Sequence, residues 1–197
     1  AAGTISDPMD LRSCLSGAEG IPTSKKVYLL PGTYDDPQPG IDNLNLERGY
    51  DVNLPDVDIQ PAYGRYSARV FGGWFIKSSK TRIFDIYFYN TDSVPGGEPT
   101  AAGSPWPGWP NPAPTGFLDW GANGFSTDTG TDSILIANNI ARGGAGGGSS
   151  FSSTNVIFYG NIVSDPGWDA VDRHHGHGGY MRGYGGTPLV FKHNMYS

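Results

Sequence analysis

Three segments of the chain carry the same order of apolar and polar positions. DSILIANNIA from Asp132, TNVIFYGNIV from Thr154 and TPLVFKHNMY from Thr187 align without gaps. Each has an apolar triplet, two variable residues, an asparagine and a further apolar residue. The asparagines are Asn139, Asn161 and Asn194. They are spaced by 22 and then 33 residues, so the second interval is the first plus an insertion of 11. Alternation with period two marks each copy as a strand. Ile134 and Ile136 share one side, as do Val156 and Phe158, and Leu189 and Phe191. The opposite side ends in Ala137, Tyr159 and Lys192 and so tolerates polarity. The first side is therefore expected to face the core, and Ile140, Ile162 and Met195 to resume the core after the asparagine.

A period near 22 with short strands and no helical spacing predicts one turn of a parallel β-solenoid per copy. Successive strands would then lie about 4.8 Å apart. Asparagine suits a repeated bend, because it tolerates left-handed backbone and its amide can bond to the same amide one turn on. Three ordinary strands of a sandwich would have no reason to repeat asparagine at one phase.

Weaker copies lie upstream. Residues 72–90 hold two apolar stretches and read as another turn. Residues 116–129 lead into Asp132. In 52–64, Val52, Leu54, Val57 and Ile59 read as a first turn, and KKVYLLPGTY reads as one strand ending in a Pro-Gly turn. In DPMDLRSCLSGAEG, Met9, Leu11 or Arg12, and Leu15 have near-helical spacing. Asp7 or Asp10 can cap that helix and Gly17 or Gly20 can stop it. Such a helix, within residues 1–20, would cover the first turn.

Composition narrows the class. The chain of 197 residues suits one domain over 1–197. Charged residues are 16%, against about a quarter in ordinary domains. With 30 glycines, 16 prolines and 13% aromatics, the profile is β-rich and turn-rich. The net charge of −6 and the lack of any basic run beyond Lys25-Lys26 argue against nucleic acid as a partner. No apolar stretch approaches the roughly 20 residues of a membrane span. The single cysteine, Cys14, allows no intrachain disulfide and no cysteine-based metal site. The opening AAGTIS reads like the remainder after cleavage at a small-residue site, a hint of secretion.

The VYLLPGTY opening, the asparagine-bearing repeats and the stretch GWDAVDRHHGHGGY carry a resemblance. The chain resembles secreted right-handed parallel β-helix repeat proteins of the pectate-lyase-like superfamily, over nearly its whole length. The more specific part is Gly167, Trp168, Asp169, Asp172, Arg173, His175, Gly176, His177, Gly178 and Tyr180. The resemblance implies an all-β, right-handed parallel β-helix with a short N-terminal capping helix. It also implies an extracellular location and a polysaccharide as partner. The chain departs from the family at Gly179, where an aliphatic residue is expected. It also reaches Ser197 directly after a strand, with no evident C-terminal cap.

The histidine stretch, within an insertion over 165–186, admits three readings. His175 and His177 would project to one side of a strand. In a lyase-like site either would be the base that removes the proton α to a uronate carboxyl group. Arg173 would clamp the carboxylate and Tyr180 would donate a proton. In a hydrolase-like site Asp169 and Asp172 would be the paired carboxylates. In a metal site the two histidines with an aspartate would suit a divalent transition metal, and Asp169 with Asp172 would suit calcium. No cofactor beyond such a divalent cation is indicated. In the structural reading the cluster only braces the insertion.

The Pro/Gly-rich insertion 93–116 holds Trp106 and Trp109, whose rings either stack on sugars or fold back on the strands. With Trp168 they are the candidate substrate-binding residues. RGGAGGGSS over 142–150 is a glycine-rich loop without the Lys-Ser/Thr end of a phosphate loop, and no G-x-S-x-G elbow occurs. Two functional classes remain. One is a polysaccharide-active or polysaccharide-binding protein. The other is a non-catalytic subunit of an extracellular filament or surface assembly, self-assembling by strand addition at the open C-terminal end of the solenoid.

Overall fold

The structure, a computed structural model, describes residues 8–34, 38–39, 47–71, 73–89, 125–142, 149–151, 153–164, 180–181 and 189–196. Strands dominate it and form three sheets of six strands each. Sheet I contains β1 (Lys26–Leu29), β5 (Asp58–Pro61), β8 (Arg82–Phe84), β11 (Asp132–Ala137), β14 (Thr154–Tyr159) and β17 (Leu189–Lys192), in that order. Sheet II contains β2 (Gly32–Tyr34), β6 (Ala68–Phe71), β9 (Tyr87–Tyr89), β12 (Ile140–Arg142), β15 (Ile162–Ser164) and β18 (Met195–Tyr196). Sheet III contains β3 (Gln38–Pro39), β4 (Glu47–Val52), β7 (Gly73–Ile76), β10 (Phe125–Thr127), β13 (Ser149–Phe151) and β16 (Tyr180–Met181). From β4 onward the chain visits sheets III, I and II in fixed rotation. All pairings are parallel except β3 with β4.

The three repeats are β11, β14 and β17, and they stack in register. Ile134 pairs with Val156 and Val156 with Leu189; Ile136 pairs with Phe158 and Phe158 with Phe191. Ile134, Ile136, Val156 and Phe158 are buried, while Leu189 and Phe191 are partly buried against the same core. An aromatic row runs through that core. Ring centroids are 5.1 Å apart for Trp74–Phe88, 4.6 Å for Phe88–Phe125, 6.2 Å for Phe125–Phe158 and 5.3 Å for Phe158–Phe191.

The asparagines form a ladder. Oδ1 of Asn161 accepts the Asn139 backbone N–H, and Oδ1 of Asn194 accepts that of Asn161, each at 2.9 Å. Oδ1 of Asn139 accepts the N–H of Ile86 at 3.0 Å, where the ladder ends on an apolar residue. The left-handed residue of each bend is the one before the asparagine, or before Ile86 where the ladder ends: Asp85, Asn138, Gly160 and His193 all have φ near +60°. This corrects the expectation that the asparagine itself adopts that conformation. It also corrects the core. The left-handed residue shifts the alternation by one, so Asn139 and Asn161 point inward and are buried. Ala141 and Val163 then continue the core, in register with Phe88. Ile140, Ile162 and Met195 instead share a register row with Arg69 and Tyr87, and Met195 is 59% exposed. Ala137 is buried, although its row continues in the exposed Tyr159 and Lys192.

Upstream, the helix is α1 (Leu11–Ser16). Asp10 caps it, its Oδ1 accepting the Ser13 N–H at 2.9 Å, and Gly17 ends it at φ 74°. Leu11 and Leu15 are its buried face, and the Leu15 carbonyl accepts the Asn53 N–H at 2.8 Å, fixing α1 against β4. KKVYLLPGTY is two strands, not one: proline cannot continue a ladder, so Leu30-Pro31 turns the chain from sheet I to sheet II. Residues 52–64 are correspondingly the second set of strands, since β5 lies on β1.

Candidate functional site

The connections between sheets differ sharply in length. From sheet I to sheet II each of β8, β11, β14 and β17 reaches its successor through two residues, 85–86, 138–139, 160–161 and 193–194. From sheet II to sheet III, Gly72 alone joins β6 to β7, but residues 90–124 join β9 to β10. Residues 143–148 join β12 to β13, and 165–179 join β15 to β16. Along the asparagine ladder the first corner carries no insertion, although upstream of it residues 62–67 join β5 to β6. The second corner takes every long insertion downstream of β9 except the seven residues 182–188. Insertions gathered on one edge of a repeat array are a common way to build a binding surface.

Trp106 and Trp109 belong to the segment 90–124, and Trp168, Asp169, Asp172, Arg173, His175 and His177 to 165–179. All lie outside the described residues. Their segments leave sheet II at β9 and β15, which are separated by one strand, β12. The two points of departure are therefore about 10 Å apart. Tyr180 is described in backbone only. It opens β16, pairs with Ser150, and through it shares a row with Ser126, Phe75 and Asp51 of sheet III. At the far end of that row Lys77 donates to Asp51 Oδ2 at 2.7 Å and sits 5.1 Å from the Phe75 ring centroid.

The strand ends that face the insertion corner are Phe71, Tyr89, Arg142 and Ser164, which form one register row. Tyr89 is buried and Arg142 exposed. Beside them, the Arg69 guanidinium carbon lies 5.2 Å from the Tyr87 centroid and 5.1 Å from that of Tyr89. Sequence reasoning did not single out this group. Its signal was present in IYFYN, where period-two alternation puts Phe88 in the core and both tyrosines on the opposite side of the strand, where Tyr89 is nonetheless buried.

Other chemistry is set by ordinary forces. Burial, with a smaller effect of the Asp10 charge, pushes the Cys14 thiol up, and a protonated thiol is a poor nucleophile. Cys14 borders a cleft of about 1120 Å³ beside α1, lined also by Met9, Leu11, Val27, Leu29 and Tyr34. Among the described residues no group of three or more His, Cys, Asp or Glu side chains could hold a metal ion. No described helix is long and apolar enough to cross a membrane. No family model, no curated protein and no solved structure matches the chain.

Proposed function

We propose that the chain is an extracellular polysaccharide-binding protein, built as a right-handed parallel β-helix, with the corner between sheets II and III as its binding edge. Fixed rotation among three parallel sheets supports the helix. Its hand follows from the steric rule that connects parallel strands right-handedly in about 98% of cases. The observation that carries the binding reading is the distribution of connections. The segment bearing Trp106 and Trp109 and the segment bearing the histidine stretch both bridge sheets II and III, with one strand between their points of departure.

The chemistry of those residues suits sugars. Indole rings offer apolar faces to pyranose C–H groups, and Arg173 offers a fork to a carboxylate. In the lyase-like form of this reading, His175 or His177 takes the proton α to the uronate carboxyl group. The electron pair forms the C–C double bond as the glycosidic C–O bond breaks, and Tyr180 protonates the departing oxygen. Location outside the cell is drawn from the superfamily resemblance and the low-charge, glycine-rich composition.

Affinity electrophoresis in polygalacturonate, alginate and neutral glucan gels tests the binding. We expect retardation by at least one polymer, lost in the double variant Trp106→Ala/Trp109→Ala. Ultraviolet detection of unsaturated product tests the lyase form, with His175→Ala and His177→Ala as controls. Free migration in every gel would end the polysaccharide reading, and product formation surviving both histidine variants would end their role as base.

A further inference from the structure

Arg69 on β6 and Tyr87 on β9 are register partners, and Tyr89 lies two residues further along the same side of β9. The two tyrosine rings are 6.2 Å apart with planes inclined by 27°, and the Arg69 guanidinium lies over both. Stacking of this kind uses the flat face of the guanidinium and leaves its N–H edge free to bond elsewhere. Arg69 is exposed.

Its surroundings differ from those of four other cations. Lys25, Arg65, Lys77 and Arg82 each lie beside an aspartate. Lys77 also lies over an aromatic ring, yet its charge is matched by Asp51. Among the described residues no carboxylate lies beside Arg69. Among the described residues Lys26, Lys80 and Lys192 also have no aspartate or glutamate beside them, but none of these three lies over an aromatic ring, whereas Arg69 lies over two. The two rings immobilise the side chain without neutralising it. A planar fork already held in place loses little further freedom on binding, which favours a bidentate oxyanion. Thr33, exposed and paired with Arg69 in register, adds a hydroxyl one strand away.

We propose that Arg69, held on Tyr87 and Tyr89, is a docking point for the oxyanion of an acidic sugar, its carboxylate or its sulfate ester. The proposal rests on the polysaccharide reading for the sugar carrier, not for the anion. It adds to the insertion corner a recognition point on the outer face of sheet II.

The test is a titration of the ¹⁵N-labelled full chain, following the Arg69 Nε–H resonance. The probes are sodium glucuronate, glucose 6-sulfate, glucose and sodium chloride. We expect a saturable shift with glucuronate or with glucose 6-sulfate, which tells carboxylate from sulfate. Glucose should cause none, and chloride only a small linear drift. Arg69→Lys keeps the charge but loses the fork, and should weaken the saturable response about tenfold or more. Tyr87→Leu should weaken it while leaving thermal unfolding close to that of the parent. Anions acting no more than chloride, or an unchanged affinity in Arg69→Lys, would overturn the proposal. A saturable Arg69 response in a chain that no polymer retards would sink the polysaccharide reading alone.

Discussion

Asn139 and Asn161 stand 22 positions apart in the chain and one strand apart in the fold. Oδ1 of Asn161 accepts two protons from Asn139, from its backbone N–H at 2.9 Å and its Nδ2 at 3.1 Å. Asn161 Nδ2 in turn donates to the Ile136 carbonyl at 2.9 Å. Both asparagines are buried, so Asn161→Ala would strand the Asn139 backbone N–H and the Ile136 carbonyl away from water, while the Asn139 amide keeps the carbonyls of Ile83 and Ala137. Each such group costs about 1–3 kcal/mol. We expect Asn161→Ala to lower stability by about 3 kcal/mol or more in urea unfolding. Asn194, only half-buried, should cost clearly less as alanine. Equal losses at the two positions would show that the ladder is not held by buried amides.

Gly160 occupies the left-handed position of the same bend at φ 65°, where Asn138 and His193 stand in neighbouring strands. A Cβ at Gly160 would lie 2.7 Å from Asn138 Oδ1. Gly160→Ala therefore carries a left-handed backbone cost of about 1–2 kcal/mol and a contact that Asn138 must yield to. Shortening Asn138 to glycine removes the contact and leaves the backbone cost. A double-mutant cycle should show the two changes to be non-additive, with Asn138→Gly softening Gly160→Ala. Strict additivity would mean that the contact contributes nothing.

The aromatic row through the core predicts a gradient of sensitivity. Phe158 is fully buried between Phe125 and Phe191, whereas Phe191 is only partly buried. Truncating a buried phenylalanine to alanine costs about 3–5 kcal/mol, because the lost burial is joined by an unfilled cavity. Phe158→Ala should fall in that range by chemical denaturation and Phe191→Ala below it. A Phe158→Ala loss under about 1 kcal/mol would show that the row collapses freely around the missing ring.

Period-two alternation made the strand rows legible, and the recurrence of asparagine at one phase made their stacking legible. What alternation could not convey was the phase shift at Asn138 and Gly160. A left-handed residue consumes a position without reversing the side, so a strict count sends Ile140 inward when it points out. The two-strand split at Leu30-Pro31 was hidden for a related reason: the apolar run is continuous across the corner. The candidate site was legible as residue types but not as a place. Trp106 and His175 are 69 positions apart in the chain. Their relation emerges only once β9 and β15 are known to be next-but-one neighbours in a single sheet. Arg69 over Tyr87 required the register itself, because guanidinium and rings meet from different strands.

Asp132 links β11 to β14 through its carboxylate, and this makes a prediction about acid. Its Oδ2 accepts the Ser133 hydroxyl, and its Oδ1 accepts the Thr154 hydroxyl and the Asn155 amide, each at 2.6 Å. These bonds favour the ionised form and lower the pKa from 3.8 to about 2, with Ser133 the largest cause and Thr154 next. Since the folded-state value is depressed, the ionised carboxylate contributes stability that is fully present above pH 3.8 and is lost as pH falls through about 2. Asp132→Asn has no carboxylate to titrate. Its stability relative to the parent should therefore improve as pH falls through that window and level off below it. Acid titrations of both chains by circular dichroism check the trend, and the ¹³C carboxyl resonance of Asp132 checks its source. Thr154→Val should move that resonance midpoint upward. A parent midpoint already at 3.8 would mean that the three donors do not hold the carboxylate in solution.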